Sequence, residues 1–372
     1  MKSNTEQVFF ALLQAGLWEK DAQLLPFGEI DFSAVMSLAE EQSVAGLVAA
    51  GIEHIVDGRP AKEDVLPFIG RSMQLEQRNM GINRFIGIIV KKMQGEGIET
   101  VLVKGQSVAQ CYERPQWRSC GDIDFYLNKE NYEKAKAYLT PLAASVEDEY
   151  VREKHLGMTI GSWVVELHGS LYSGLSSRVE QELAMVYWDT FMNRNIRRWK
   201  NGGTEIPILA MENNVFYVFT HILQHFYKGG VGLRQICDWC RLLWTYRQEI
   251  DVMKLEGQLR RAGLMTAWRA FGAVAVEYLG MNADAVPFYS DATKWKKKAS
   301  RIKNYVLMSG NLGHNRDHSY FEKYPFLIRK YVSFSRRMRD LTRHAQVFPL
   351  DSLRFFPRIL INGMRSAVRG EG

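Results

Sequence analysis

Asp122 and Asp124 stand two residues apart in Gly121-Asp122-Ile123-Asp124-Phe125-Tyr126-Leu127, a run otherwise made of apolar and aromatic residues. Such a run reads as a strand, and on a strand residues i and i+2 share a face. The two carboxylates therefore point together, while Ile123 and Phe125 point into packing. Two like charges this close repel, and one takes up a proton unless a cation sits between them. A divalent ion is the simplest neutraliser, and Mg²⁺ is the hard, oxygen-seeking one that also carries phosphates. The plain alternative is an edge-strand pair facing water.

The flanking residues favour the ion. "IETVLVKG" is a short β-branched strand closed by Lys104 and Gly105, and "QSVAQCYE" then starts a helix whose first free N–H groups, near Ser107, can hold phosphate. Arg118, four residues ahead of Asp122, offers a fixed positive charge to a phosphate oxygen. Downstream, "SWVVELHGSL" is a third strand with Glu166 and His168 on one face and Val165 and Leu167 on the other. With "KENYEKAKAYLTPL" as a helix between, residues 98–172 read as strand, helix, strand, helix, strand. A third carboxylate on a neighbouring strand completes a cage of the kind used for metal-assisted in-line displacement.

"VLVKGQSVAQCY", "RSCGDIDFYL" and "VVELHGSL" together resemble a family of uncharacterised nucleotidyltransferases with a Lys-Gly…Arg…Asp-Ile-Asp signature, within the DNA polymerase β-like superfamily. "THILQHFYKGGVGLRQICDWCRLL" is similar to that family's helical region after the core. The resemblance implies an α+β fold, a small mixed β-sheet core flanked by N-terminal and C-terminal helical regions. It also implies that Gly105, the backbone near Ser107, Lys104 and Arg118 bind the nucleotide, and that Asp122, Asp124 and Glu166 bind Mg²⁺, or Mn²⁺, and are catalytic. The expected reaction moves NMP from an NTP to an unknown hydroxyl acceptor, a small molecule, a sugar-containing compound or a protein, and releases pyrophosphate. The alternative is a non-catalytic nucleotide- or RNA-binding regulatory module of the same fold. The chain departs from the wider superfamily in having Gln106 after the glycine and Lys104 before it.

Residues 1–96 read as helices, with apolar residues three and four apart, residues 97–206 as the core, and residues 207–372 as helices with a basic tail. His221 and His225 are one turn apart, but Ile222 stands where a zinc-protease motif has Glu, so core histidines are the simpler reading. His225, Arg234 and His168 are candidates for the substrate cleft. Arg234 and Asp238 are spaced as an i, i+4 ion pair. Cys237 and Cys240, inside an amphipathic helix beside Ile236, Leu242 and Leu243, read as packed thiols.

Charge is unevenly spread: Ser290 to Gly372 holds 18 Lys/Arg against six Asp/Glu, out of a whole-chain net of +7. That region, with "KWKKK" at Lys294–Lys298 and Arg interleaved with aromatics after Phe348, is either a solvated helical face or a contact for nucleic acid or an anionic membrane surface. No run approaches the roughly 18 apolar residues of a spanning helix. The expected location is the cytoplasm, with peripheral membrane contact through the tail, and the sequence sets no oligomeric state.

Overall fold

The computed structural model describes residues 4–151, 153–315 and 325–368. The first helices form as their apolar spacing predicts: α1 (Asn4–Trp18), α2 (Phe32–Glu41), α3 (Ala45–Glu53) and the long α4 (Lys62–Gly95). Asp31 starts α2, its carboxylate accepting the Ala34 N–H at 3.0 Å. α1 and α3 cross closely because both carry glycine there. A Cβ on Gly16 would stand 1.9 Å from the Leu47 carbonyl oxygen, and one on Gly51 1.9 Å from that of Leu12.

The period then changes to two. Strands β1 (Val101–Val103), β2 (Asp122–Tyr126), β3 (Ser145–Val146), β4 (His155–Ile160), β5 (Trp163–His168), β6 (Ile196–Asn201) and β7 (Thr204–Leu209) form one sheet in the order β3-β4-β5-β2-β1-β7-β6. The sheet is mixed: β2–β5 and β1–β7 are parallel, the other pairs antiparallel. The expected α+β class, with helices flanking a mixed sheet, is what the chain adopts.

The sequence reading found three of these strands and passed over four. β6 and β7 meet across Gly202 and Gly203, with Gly202 at φ 56°, a two-residue turn that glycine makes at no steric cost. β4 folds back on β5 across Gly161, also at positive φ.

Short α5 (Gly105–Ala109) follows β1, α7 (Ser177–Phe191) follows β5 and α10 (Val252–Ala262) lies beyond the sheet, which two apolar layers cover. On one face Leu102, Ile123, Phe125, Val165 and Leu167 pack against Ile82, Ile86 and Ile89 of α4 and against Tyr132 and Leu139 of α6 (Lys129–Leu139). On the other face Val101, Val103 and Tyr126 join a larger core with α1–α3, α8 (Met211–Lys228), α9 (Leu233–Thr245) and α11 (Met265–Glu277). First and last thirds are therefore packed together: Gln14 donates to the Tyr278 carbonyl at 3.0 Å and Arg241 to that of Leu17 at 3.0 Å. All four cysteines are free and buried, with Cys237 and Cys240 inside this core as expected of packed thiols.

The tail ends in two helices, Phe326–Val347 and Pro349–Val368. Pro325 and Pro349 mark helix starts, where a missing N–H costs nothing, and Pro357 lies inside the last helix. Parts of the basic stretch, residues 316–324 and 369–372, lie outside the described residues. Among the described residues no helix is long and apolar enough to cross a membrane.

Candidate active site

Sheet register assembles the carboxylates. β2 and β5 run parallel with Asp124 opposite Glu166, and Asp122 lies one pleat back on the same face as Asp124. Oxygens of Asp122, Asp124 and Glu166 lie within 4.8 Å of one another. Asp124 is 1% exposed. α4 sets the loop that leads into β2: Asn79 donates to the carbonyls of Gln116 and Arg118, and Arg78 to those of Cys120 and Gly121.

Cationic and imidazole groups surround the acids. Lys104 Nζ lies 2.6 Å from Asp124 Oδ1. His168 Nε2 lies 2.8 Å from the same oxygen and 3.3 Å from Glu166 Oε2, and His155 Nε2 lies 3.2 Å from Glu166 Oε2. Burial alone would raise Glu166, but hydrogen bonds from His155 and His168 hold it far below the usual carboxylate range. Burial would lower His168, yet its bonds to Asp124 and Glu166 raise it. Asp122 is pushed up, first by the charge of Asp124 and then by burial.

These groups floor a cavity of about 350 Å³. Its opposite wall is one stripe of α8, with Tyr217, His221, Gln224, His225 and Lys228 recurring at helical spacing, and Arg234 and Asp238 of α9. His221 and His225 touch through their Nε2 atoms at 3.0 Å, one donating to the other. Burial depresses both, His225 to about 4 and His221 well below its ordinary value, so both are neutral near neutral pH. The sign of the pH effect follows. Below about pH 6.5 the unfolded chain takes up these protons before the folded one does, so stability falls as pH drops toward 4. The expected loss is on the order of 1 kcal/mol per pH unit for each histidine. Urea unfolding at about pH 7 and about pH 5 checks this: His221→Gln/His225→Gln should flatten the difference, and an unflattened one would place the proton uptake elsewhere.

The cavity thus gathers Lys104, Gly105, Arg118, Asp122, Asp124, Glu166, His168, His225 and Arg234. It does not include Ser107, which is buried, with its hydroxyl and amide both donating to the Lys104 carbonyl, at 2.7 and 2.9 Å. Arg118 lines the cavity but is committed to Asp238: Nε to Oδ1 and Nη2 to Oδ2, both 2.7 Å, with Nη1 donating to the Ser119 carbonyl. Asp238 also accepts the Tyr112 hydroxyl at 2.8 Å. Its ion-pair partner is therefore Arg118 across the fold rather than Arg234 one turn away, as local spacing suggested. Arg234 donates instead to the Ser119 carbonyl at 3.2 Å, and its Nε is buried without a hydrogen-bond partner among the described residues. Sequence reasoning missed Tyr217, Gln224 and Lys228; the signal was a polar stripe through the apolar run of α8.

The donor set suits a hard divalent cation, three carboxylate oxygens at one point. His155, Glu166 and His168 are also close enough to share an ion. The two imidazoles stack with 16° between ring planes, and both Nε2 atoms lie against Glu166 Oε2.

No curated protein and no solved structure matches the chain. A family model described as "Uncharacterised nucleotidyltransferase" matches residues 28–280, from just before α2 to just after α11. That span holds the sheet, the acidic cluster and both helices of the opposite wall, and it takes in more than half of the chain, which therefore belongs to the uncharacterised nucleotidyltransferase family.

Proposed function

We propose that the protein, whose family gives it a general nucleotidyltransferase role, moves a nucleoside monophosphate from an NTP to a hydroxyl acceptor and releases pyrophosphate. The acceptor is a small molecule, a sugar-containing compound or a protein. The observation that carries this reading is the meeting of Asp122, Asp124 and Glu166 on the floor of a cavity walled by Arg234 and Lys228. The three carboxylates would hold Mg²⁺, or Mn²⁺ in its place. When bound, the ion supplies a Lewis acid toward phosphate and hydroxyl oxygens.

The chain's own groups do the rest. Glu166, kept ionised by its two histidines, accepts a hydrogen bond from the acceptor hydroxyl and aims its oxygen. That oxygen bonds to the α-phosphorus as the bond to the β-phosphate oxygen breaks, and the hydroxyl proton passes by way of Glu166 to water. Arg234 and Lys228 hold the departing pyrophosphate. Arg234→Met is expected to weaken NTP binding by about tenfold to a hundredfold, the worth of a hydrogen bond to a charged group, with the fold unchanged. Titration calorimetry with an inert NTP analogue measures this, and unchanged affinity would remove Arg234 from the phosphate site.

A thermal-shift series with the four NTPs, each with and without Mg²⁺, tests the whole reading. A Mg²⁺-dependent stabilisation by at least one NTP is expected, about 2.7 kcal/mol at a hundredfold excess over Kd. No shift with any NTP would end it. A shift with no pyrophosphate release toward any acceptor would mark a non-catalytic nucleotide-binding module instead.

The basic tail supports a second contact, with an anionic membrane surface. Its last two helices expose Tyr331, Phe334, Leu350 and Leu353 among exposed arginines such as Arg339 and Arg354, a mixture suited to an interface. The protein is expected to sediment with vesicles containing anionic lipid, less so at high salt, and Arg339→Glu/Arg343→Glu should release it. Binding to RNA with none to such vesicles would assign the tail to nucleic acid.

A further inference from the structure

The acidic cluster already contains a cation, and the backbone is bent to put it there. β1 ends at Val103, opposite Asp124. If the strand continued, alternation would send the next side chain to the face of Leu102, into the apolar layer under α4 and α6. Lys104 instead adopts φ 54° and ψ −154°, a conformation that costs a non-glycine residue about 1–3 kcal/mol. That turn brings its ammonium to the face of Asp124, 2.6 Å from Oδ1, with the side chain only 15% exposed.

We propose that Lys104 is a built-in counter-ion that is exchanged for the divalent metal when a triphosphate arrives, so that metal and nucleotide bind cooperatively. The inference rests on the reading of the three carboxylates as metal ligands. Lys104 and His168 both occupy Asp124 Oδ1, and an ammonium held there repels a divalent ion brought to the same carboxylate, so metal binding works against the Lys104 contact and favours its release. Once displaced, the ammonium needs another anion, and the other carboxylates that line the cavity are engaged: Asp238 is paired with Arg118, and Glu153 faces Lys228. The triphosphate supplies that anion. The metal alone must displace Lys104 into an unfavourable position, whereas the metal with nucleotide does not. The differential contact of Lys104 in the two states is the coupling free energy.

The experiment is Mn²⁺ binding, followed by the electron-paramagnetic signal of the free ion. It compares wild type, Lys104→Met, Lys104→Gly and Asp124→Asn, each alone and with non-hydrolysable analogues of the four NTPs. Without nucleotide, Lys104→Met is expected to bind Mn²⁺ about tenfold tighter than wild type. With nucleotide, wild type should gain about tenfold and Lys104→Met distinctly less. Lys104→Gly should behave like the Met variant, and it removes the backbone strain, so loss of folding cannot mask the result. If both Lys104 variants bind Mn²⁺ no tighter than wild type while Asp124→Asn abolishes binding, the exchange is wrong and the metal site stands. If Asp124→Asn binds as wild type does, or no form binds Mn²⁺ at all, the metal-ligand reading falls and the exchange with it.

Discussion

Asp124→Asn is expected to lower nucleotidyl transfer by about a thousandfold or more, the worth of several kcal/mol of lost charge stabilisation, and to leave the fold intact. Asp124 is the acid on which the site converges: it faces Glu166 across the sheet, meets both Lys104 and His168, and is 1% exposed. The substitution keeps the side chain's shape and removes its charge. It also relieves Asp122, whose carboxyl Asp124 pushes up, while taking a charge partner from Lys104 and His168, which keep Asp122 and Glu166 nearby. Circular dichroism and the Mg²⁺–NTP thermal shift, run beside wild type, separate the two effects. The spectrum should be retained and the shift lost; a retained shift would make Asp124 an ordinary buried carboxylate.

The largest effect on stability is expected from Arg118→Met. Arg118 and Asp238 are both buried and paired through two bonds of 2.7 Å, which ties the loop before β2 to α9. An exposed ion pair is worth about 1 kcal/mol or less. Breaking a buried one strands the partner charge out of water and costs about 3–5 kcal/mol. Arg118→Met/Asp238→Leu should recover much of that loss, because no charge is then stranded. The recovery stays incomplete because the Tyr112 hydroxyl loses its acceptor. Urea unfolding of the two single variants and the double gives the coupling energy, and a coupling below about 1 kcal/mol would mean that the pair behaves as a surface contact.

Much of the sheet and the acids could be read from local order. In "DIDFYL" and "VVELH" the alternation of charged or polar with apolar residues has a period of two, and the structure buries Ile123, Phe125, Val165 and Leu167 on one face and turns Asp122, Asp124, Glu166 and His168 to the other. The glycine pair between β6 and β7 is a local signal of the same kind, marking the hairpin turn. β4 was harder to see. It pairs along its whole length with β5 and contributes His155 to Glu166, but its own residues, His155 to Ile160, alternate weakly.

What the chain determined on its own was whatever depends on neighbours in sequence: the helical thirds, the strand faces, the acidic pair and the residue types needed for phosphate chemistry. The tertiary structure decided the partners. Asp238 had Arg234 one turn away and took Arg118, 120 residues distant, because α9 buries that face against the loop before β2. Lys104, next in line after an apolar strand, was turned by a positive φ onto Asp124. A buried charge must find a counter-charge wherever packing brings one, and packing is set by contacts between segments remote in sequence, which no local period records.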